Sequence, residues 1–207
     1  MQILQRVPIV IAVSVLTLGA VLAGDLRQTS ESFGPSTFRE RTDQLTLIAS
    51  TSLASQRSAE AYIPIPIAVG YVGKGPSISI TPESFTLVDA AGNRYPLAGF
   101  NDVRQNYPKL RFDRSILRAQ PLVVGLQFET SRRVAANFFP APDGNLRTDH
   151  INLSPFMWFT DVLYVERPAH SDGVMTLEFK PHGLQQQLAV RIALAPLDSA
   201  PSKLLRR

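Results

Sequence analysis

Apolar and polar residues alternate along much of this chain, and a period of two is typical of half-buried β-strands. The first such stretch covers 45–49, where leucine and alanine alternate with Thr46 and Ile48. The same pattern returns between turn residues and predicts five further strands, at 122–129, 150–153, 158–165, 174–180 and 186–194. Short strands at this spacing predict an all-β chain folded as an antiparallel β-sandwich with short helical insertions.

The clearest hairpin lies between residues 77 and 97. A strand over 77–80 leads into a turn at 81–84 and a strand over 85–89. Gly92 and Asn93 then reverse the chain, because both residues accept the positive φ that hairpin turns need. A short helix is predicted before this region, over 55–61.

An extended apolar strand precedes the hairpin, and it contains two prolines. Pro64 and Pro66 rule out a helix and remove two N–H groups from one side of the strand. We therefore predict an edge strand here, or one that leaves the sheet, with Ile63, Ile65 and Ile67 as the residues that meet a partner.

One stretch of the chain resembles a known arrangement. It consists of the extended strand, the Lys-Gly-Pro loop after it and the hairpin. The hairpin reads ITPESFTLVD at 80–89 and GNRYP at 92–96. This arrangement resembles exported bacterial proteins of an immunoglobulin-like (telokin-like) β-sandwich family, over about residues 62–97. The resemblance implies an immunoglobulin-like sandwich that acts as a non-enzymatic adhesive or accessory module, and it supplies no catalytic residues.

The N-terminus has the layout of a secretory signal. Arg6 precedes an apolar run from Val7 to Ala23, and the first acidic residue is Asp25. A positive start, an apolar stretch and small residues at its end predict a signal helix within 1–23 and export to the periplasm or the extracellular space. An uncleaved inner-membrane anchor stays open as the alternative, with membrane contact only through residues 7–23.

The rest of the 207-residue chain divides by composition. Residues 24–42 are polar and predict a linker, 43–200 predict the β-sandwich domain, and 201–207 form a basic tail. The chain has no cysteine, so the domain folds without a disulfide.

The charge balance is mildly basic, with 21 Lys and Arg against 17 Asp and Glu. This excess is too small and too dispersed to predict a nucleic-acid-binding protein. One stretch is denser in cations, and we consider it a candidate docking patch for an anionic glycan or lipid surface, since arginine suits carboxylate and phosphate. Its residues are Arg104, Lys109, Arg111, Arg114 and Arg118.

The sequence lacks the common catalytic motifs. Gly-x-Ser-x-Gly, Ser-x-x-Lys and a phosphate-binding glycine loop are all absent. The three histidines lack the spacing of metal ligands, so we predict neither a metal nor a cofactor.

These observations favour an exported, non-catalytic binding or accessory module of the cell envelope, with an envelope protein or an anionic surface as partner. The alternative is a carbohydrate-binding or carbohydrate-active protein that uses Asp161, Glu166 and Trp158. Against this alternative, we expect Asp161 to face solvent or pair with an arginine, and Trp158 to lie in the core.

Overall fold

A computed structural model describes residues 30–32, 35–119, 122, 132–141, 147–169 and 173–194. Most of the regular structure is β-sheet, in strands that are mainly antiparallel. The helices are α1 (Ser52–Gln56), α2 (Phe100–Asn106) and α3 (Leu110–Ala119). The strands are β1 (Glu31–Ser32), β2 (Thr37–Arg41), β3 (Leu45–Ser50), β4 (Tyr62–Tyr71), β5 (Ile78–Ile80), β6 (Phe85–Val88), β7 (Arg94–Pro96), β8 (Arg132–Arg133), β9 (Ile151–Leu153), β10 (Met157–Glu166), β11 (Gly173–Phe179) and β12 (Leu188–Leu194).

The strands form two main sheets around one core. The first sheet has the order β1-β2-β3-β4-β10-β8, and the second has the order β12-β11-β6-β7. The short strands β5 and β9 pair with each other. Side chains of both main sheets belong to a single hydrophobic cluster, in which Phe85 of β6 stacks on Phe179 of β11 and Phe138 contacts Phe159 of β10.

The all-β prediction is confirmed, and most predicted strands lie close to their expected positions. The hairpin between β6 and β7 turns at Gly92, whose φ of 87° is the positive value that the sequence predicted for the turn. The strand before it, β5, does not pair with β6 as a hairpin, because it pairs with β9 instead. The predicted helix over 55–61 is displaced, and α1 begins at Ser52.

The prediction that Ile63, Ile65 and Ile67 meet a partner at an exposed edge is wrong. The strand that contains them, β4, lies between β3 and β10, and all three isoleucines are fully buried. β3 pairs with β4 only as far as Ile67, whereas β10 pairs with β4 as far as Tyr62. Proline has no N–H to donate, so it is tolerated on the stretch of β4 that β3 does not reach. Pro64 and Pro66 thus occupy a stretch with a strand partner on one side, where α1 packs in place of β3.

Two other predictions need correction. The predicted linker over 24–42 contains β1 and β2, which extend the first sheet through β3. The cationic stretch after residue 100 forms the helices α2 and α3, which the sequence pattern did not predict.

Several predictions concern residues outside the described part. These are the signal or anchor at 1–23, the strand at 122–129 apart from Leu122, and the tail at 201–207. Among the described residues, none of the helices has the length and apolar character needed to cross a membrane.

Candidate functional site

The predicted cationic patch is divided by the fold. Arg104 and Arg111 are exposed, and Lys109 pairs with Glu60. Arg114 instead points into the protein and is 4% exposed, so it does not belong to a surface patch. The side chain of Arg118 lies outside the described part of the structure.

Arg114 forms a buried ion pair with Asp161 in the middle of β10. Its Nη1 donates to Asp161 Oδ1 at 2.6 Å, and Asp161 has no exposed surface. The backbone N–H of Phe138 donates to Oδ2 at 2.7 Å, and that of Val162 donates to Oδ1 at 2.8 Å. Burial raises the pKa of the Asp161 carboxyl, and the Arg114 guanidinium opposes this rise.

A second buried acid lies beside this pair on α3. Asp113 Oδ1 accepts hydrogen bonds from Arg57 Nε at 3.2 Å and Nη2 at 3.0 Å, and Oδ2 accepts one from the Tyr107 hydroxyl at 2.5 Å. Burial raises the pKa of Asp113 above its ordinary value, while Tyr107 and Arg57 lower it. Burial, together with the neighbouring Asp113, also raises the pKa of Tyr107.

Two polar atoms of this region lack hydrogen-bond partners among the described groups. They are Arg114 Nε and the hydroxyl of Tyr164, which burial holds in its neutral form by raising its pKa. The charged groups of the cluster are nonetheless neutralised by one another. Apart from the partly exposed Arg57, the cluster is buried, and it links α3 to β10.

The carbohydrate alternative relied on Asp161, Glu166 and Trp158, and the structure does not bring them together in one cleft. Asp161 is buried and Glu166 is exposed. An odd spacing of five residues places their side chains on opposite faces of β10. A pair of carboxylates facing one sugar is therefore not formed by these two residues.

Trp158 is half-buried on the outer face of the first sheet. Its indole packs against the small cluster of Ile48 and Ala68, and the Arg133 guanidinium lies 5.4 Å from the ring centroid. The expectation of a core tryptophan is thus met in part, because the ring packs against the sheet and also contacts a cation.

A cleft of about 330 Å³ opens between the start of α2 and segments 138–139 and 147–149. Arg147 lies 5.0 Å from the centre of the Phe100 ring and pairs with Asp149 at 2.8 Å. Arg147 and Asp149, the charged residues of segment 147–149, therefore neutralise each other. Of the described residues, none forms a group of three or more His, Asp or Glu that could hold a metal ion.

Two aromatic residues lie at the surface where the sequence analysis did not expect them. Phe112 on α3 is 57% exposed, and Phe156 before β10 is 47% exposed. The helical face of α3 repeats at Leu110, Asp113 and Leu117, so the spacing alone could have placed Phe112 off the buried face. For Phe156 the strand pattern carries no comparable signal, because its exposure follows from a turn.

In comparisons with known proteins, no family model, no curated protein and no solved structure matches the chain.

Proposed function

We propose that this chain is an exported, non-catalytic binding module of the cell envelope with an immunoglobulin-like sandwich. The observation that carries this proposal is the strand order. When β3, β4, β6, β7, β8, β10, β11 and β12 are lettered A, B, C, C′, D, E, F and G, the sheets read A-B-E-D and C′-C-F-G. This is the order of immunoglobulin domains.

The chain departs from that order in three places. The strands β1 and β2 are added before the A position, β8 runs parallel to β10 over two residues, and β5 and β9 pair with each other outside both main sheets. The first two departures lie at the margins of the first sheet. The central pairs A-B, B-E, C-F and F-G are antiparallel, as an immunoglobulin-like sandwich requires.

The burial of the ionisable side chains favours binding over catalysis. The charged groups of Asp113, Asp161 and Arg114 all form ion pairs inside the fold. A catalytic acid or base needs access to the atom whose proton it moves, and these buried groups lack it.

The surface that best fits a protein partner is the helix face, which we define as Arg104, Lys109, Arg111 and Phe112. Phe112 is the most exposed of the large hydrophobic residues described. Arg111 precedes it on α3, and the Arg57 guanidinium lies 5.3 Å from its ring centroid. Aromatic residues and arginine are enriched in protein interfaces, and the basic charge favours an acidic surface on the partner.

Photo-cross-linking in the intact cell envelope tests this proposal. A photoreactive amino acid at Phe112 should yield a discrete cross-linked partner. The same amino acid at Ala193, which is exposed on β12, should not. The pair of reversals Arg104→Glu and Arg111→Glu should abolish the cross-link, whereas Arg191→Glu on β12 should preserve it. Equal cross-linking from Phe112 and Ala193 would contradict the proposal.

A further inference from the structure

A second surface lies at the other end of the first sheet, where β4 ends and β10 begins. We call it the Phe156 end and define it by the loops 42–44, 72–77 and 154–156 together with Arg132. The β4 and β10 ladder is ten residues long, so about 30 Å separates this end from Tyr62 and Glu166. Tyr107 of the α2–α3 connection packs on Tyr62, which places the helix face toward the opposite end.

Phe156 combines exposure with an unfavourable backbone. Its φ is 64°, a left-handed value that bulky residues rarely adopt. The turn is held by the backbone, because Phe156 N–H donates to Tyr71 O at 2.6 Å and Arg132 N–H donates to Phe156 O at 3.2 Å. Glycine would make the same two bonds without the steric cost. With the ring 47% exposed, neither turn geometry nor core packing accounts for a phenylalanine here.

The charges around Phe156 are mainly basic. Exposed cations occupy the loop after β4 and the strand β8, and Asp43 is the exposed acid of the 42–44 turn. The cations are Lys74, Arg132 and Arg133. Lysine and arginine near an anionic lipid surface each contribute attraction, and aromatic rings settle at the depth of the headgroups.

The register of the first sheet shows that β1 begins at this same end. Glu31 of β1 pairs with Arg39, and Ser30 hydrogen-bonds the side chain of Glu40. Moving backward along β1 therefore leads toward Arg41, which lies level with Thr46 of β3 and the Gly70 end of β4. The N-terminal end of β1 thus lies at the Phe156 end of the first sheet.

The length of the preceding chain brings that end close to the predicted membrane segment. Six residues, 24–29, separate Ser30 from the apolar run that ends at Ala23. Six residues span at most about 20 Å. If the apolar run lies in a bilayer, the Phe156 end is the part of the first sheet within reach of the headgroups.

We propose that the Phe156 end rests on an anionic phospholipid bilayer, with the Phe156 ring at headgroup depth and Lys74 and Arg132 beside the phosphates. An anionic polysaccharide fits less well. The Trp158 ring, which would offer the larger stacking face, already packs against Ile48 and Ala68 and contacts the Arg133 guanidinium. This contact is independent of the partner at the helix face.

The single tryptophan of the chain provides the measurement. Trp158 lies two residues from Phe156, about 7 Å along β10, so lipids with a nitroxide label on the headgroup should quench its fluorescence when the full chain binds phosphatidylglycerol vesicles. Phosphatidylcholine vesicles should quench it much less. Neutralising Arg132, as Arg132→Gln, should raise the lipid concentration for half-maximal quenching about fivefold, as expected for the loss of one cation at an anionic surface.

The variant Phe156→Gly distinguishes a loss of membrane contact from a loss of folding. It removes the ring and relieves the left-handed strain, so quenching should be lost while Tm is unchanged or raised; Phe156→Asn, which also tolerates this backbone, serves as the second variant. Phe112→Asn removes another exposed ring, on the helix face, and should leave quenching unchanged. Undiminished quenching in Phe156→Gly would overturn the proposal, as would a soluble anionic polysaccharide that shifts Trp158 emission when the vesicles do not.

Discussion

Arg114 and Asp161 show how much the surroundings of a single side chain decide. Both residue types are normally exposed, yet here they form one ion pair that is almost fully buried. Removing two charges from water is costly, and their attraction offsets the cost only when hydrogen bonds complete the pair. The N–H groups of Phe138 and Val162 supply such bonds to the carboxylate.

Breaking this pair from one side should destabilise the protein strongly. Arg114→Met leaves the Asp161 carboxylate buried without its cation, and we expect the free energy of unfolding to fall by about 3–5 kcal/mol. Urea unfolding followed by Trp158 fluorescence measures the loss.

The double variant Arg114→Met with Asp161→Leu is the matched control. It replaces both charges by apolar groups, which a protein interior often accepts at little cost, so much of the lost stability should return. A single variant as stable as the native chain would show that the pair does not form.

At the scale of elements, α3 is attached to the sheet by polar contacts as well as by its apolar residues. Leu110, Asp113, Arg114 and Leu117 are its buried side chains. They follow the spacing i, i+3, i+4 and i+7 that defines one helical face. Because two of the four are charged, the sequence lacks the run of apolar residues at helical spacing that predicts a buried helix face. The helix was therefore not predicted.

Tyr107→Phe tests the contribution of these contacts. The hydroxyl of Tyr107 donates to the buried Asp113, and its removal leaves that carboxylate with fewer donors. We expect unfolding to become easier by about 1–3 kcal/mol and the amide protons of α3 to exchange faster.

Tyr95→Phe is the control for this change. The Tyr95 hydroxyl also donates to an aspartate, Asp89, at 2.8 Å, but this bond is near the surface. Its removal should have a clearly smaller effect on stability. Equal effects of the two substitutions would mean that burial of Asp113 does not strengthen its hydrogen bond.

The prolines of β4 show how an element is misread from its own sequence. Two missing N–H groups on one side correctly indicate that no strand pairs there. They do not indicate solvent, because α1 occupies the position beyond the end of β3. The same local pattern fits an exposed edge and a covered one.

At the scale of the whole molecule, the buried acids set the response to pH. Burial raises the pKa of Asp113 and of Asp161 above the ordinary value of 3.8. A raised pKa means that the folded state binds protons more readily than the unfolded state. The stabilising contribution is then fully present below pH 3.8 and is lost as the pH rises through the folded pKa.

Asp161→Asn should remove part of this response. As the pH falls from neutral toward 3.8, the unfolding free energy of the native chain should rise relative to that of the variant. Urea titrations of both proteins across this range measure the difference. A difference that shifts in the opposite direction would mean that the ion pair with Arg114 outweighs burial and lowers the pKa of Asp161.

The two surfaces proposed above lie toward opposite ends of the ladder formed by β4 and β10. One end carries Phe156 and the N-terminal end of β1, and the other carries Phe112 on the helix face. A module held at a membrane by one end can present the other to a partner. This geometry is a property of the assembled sheets, since the two aromatic residues lie 44 positions apart in the sequence.

The sequence by itself determined the all-β class, most of the strands and the turn at Gly92, because these depend on short-range alternation and on backbone preferences. The tertiary structure decided which strands have two neighbours, which charges are buried and which aromatic rings are exposed. Those properties depend on what packs against each residue from distant parts of the chain. For this reason the pattern identified Asp161 and the prolines of β4 as unusual, but it wrongly predicted an exposed edge at β4. It also did not predict that Phe112 and Phe156 are exposed.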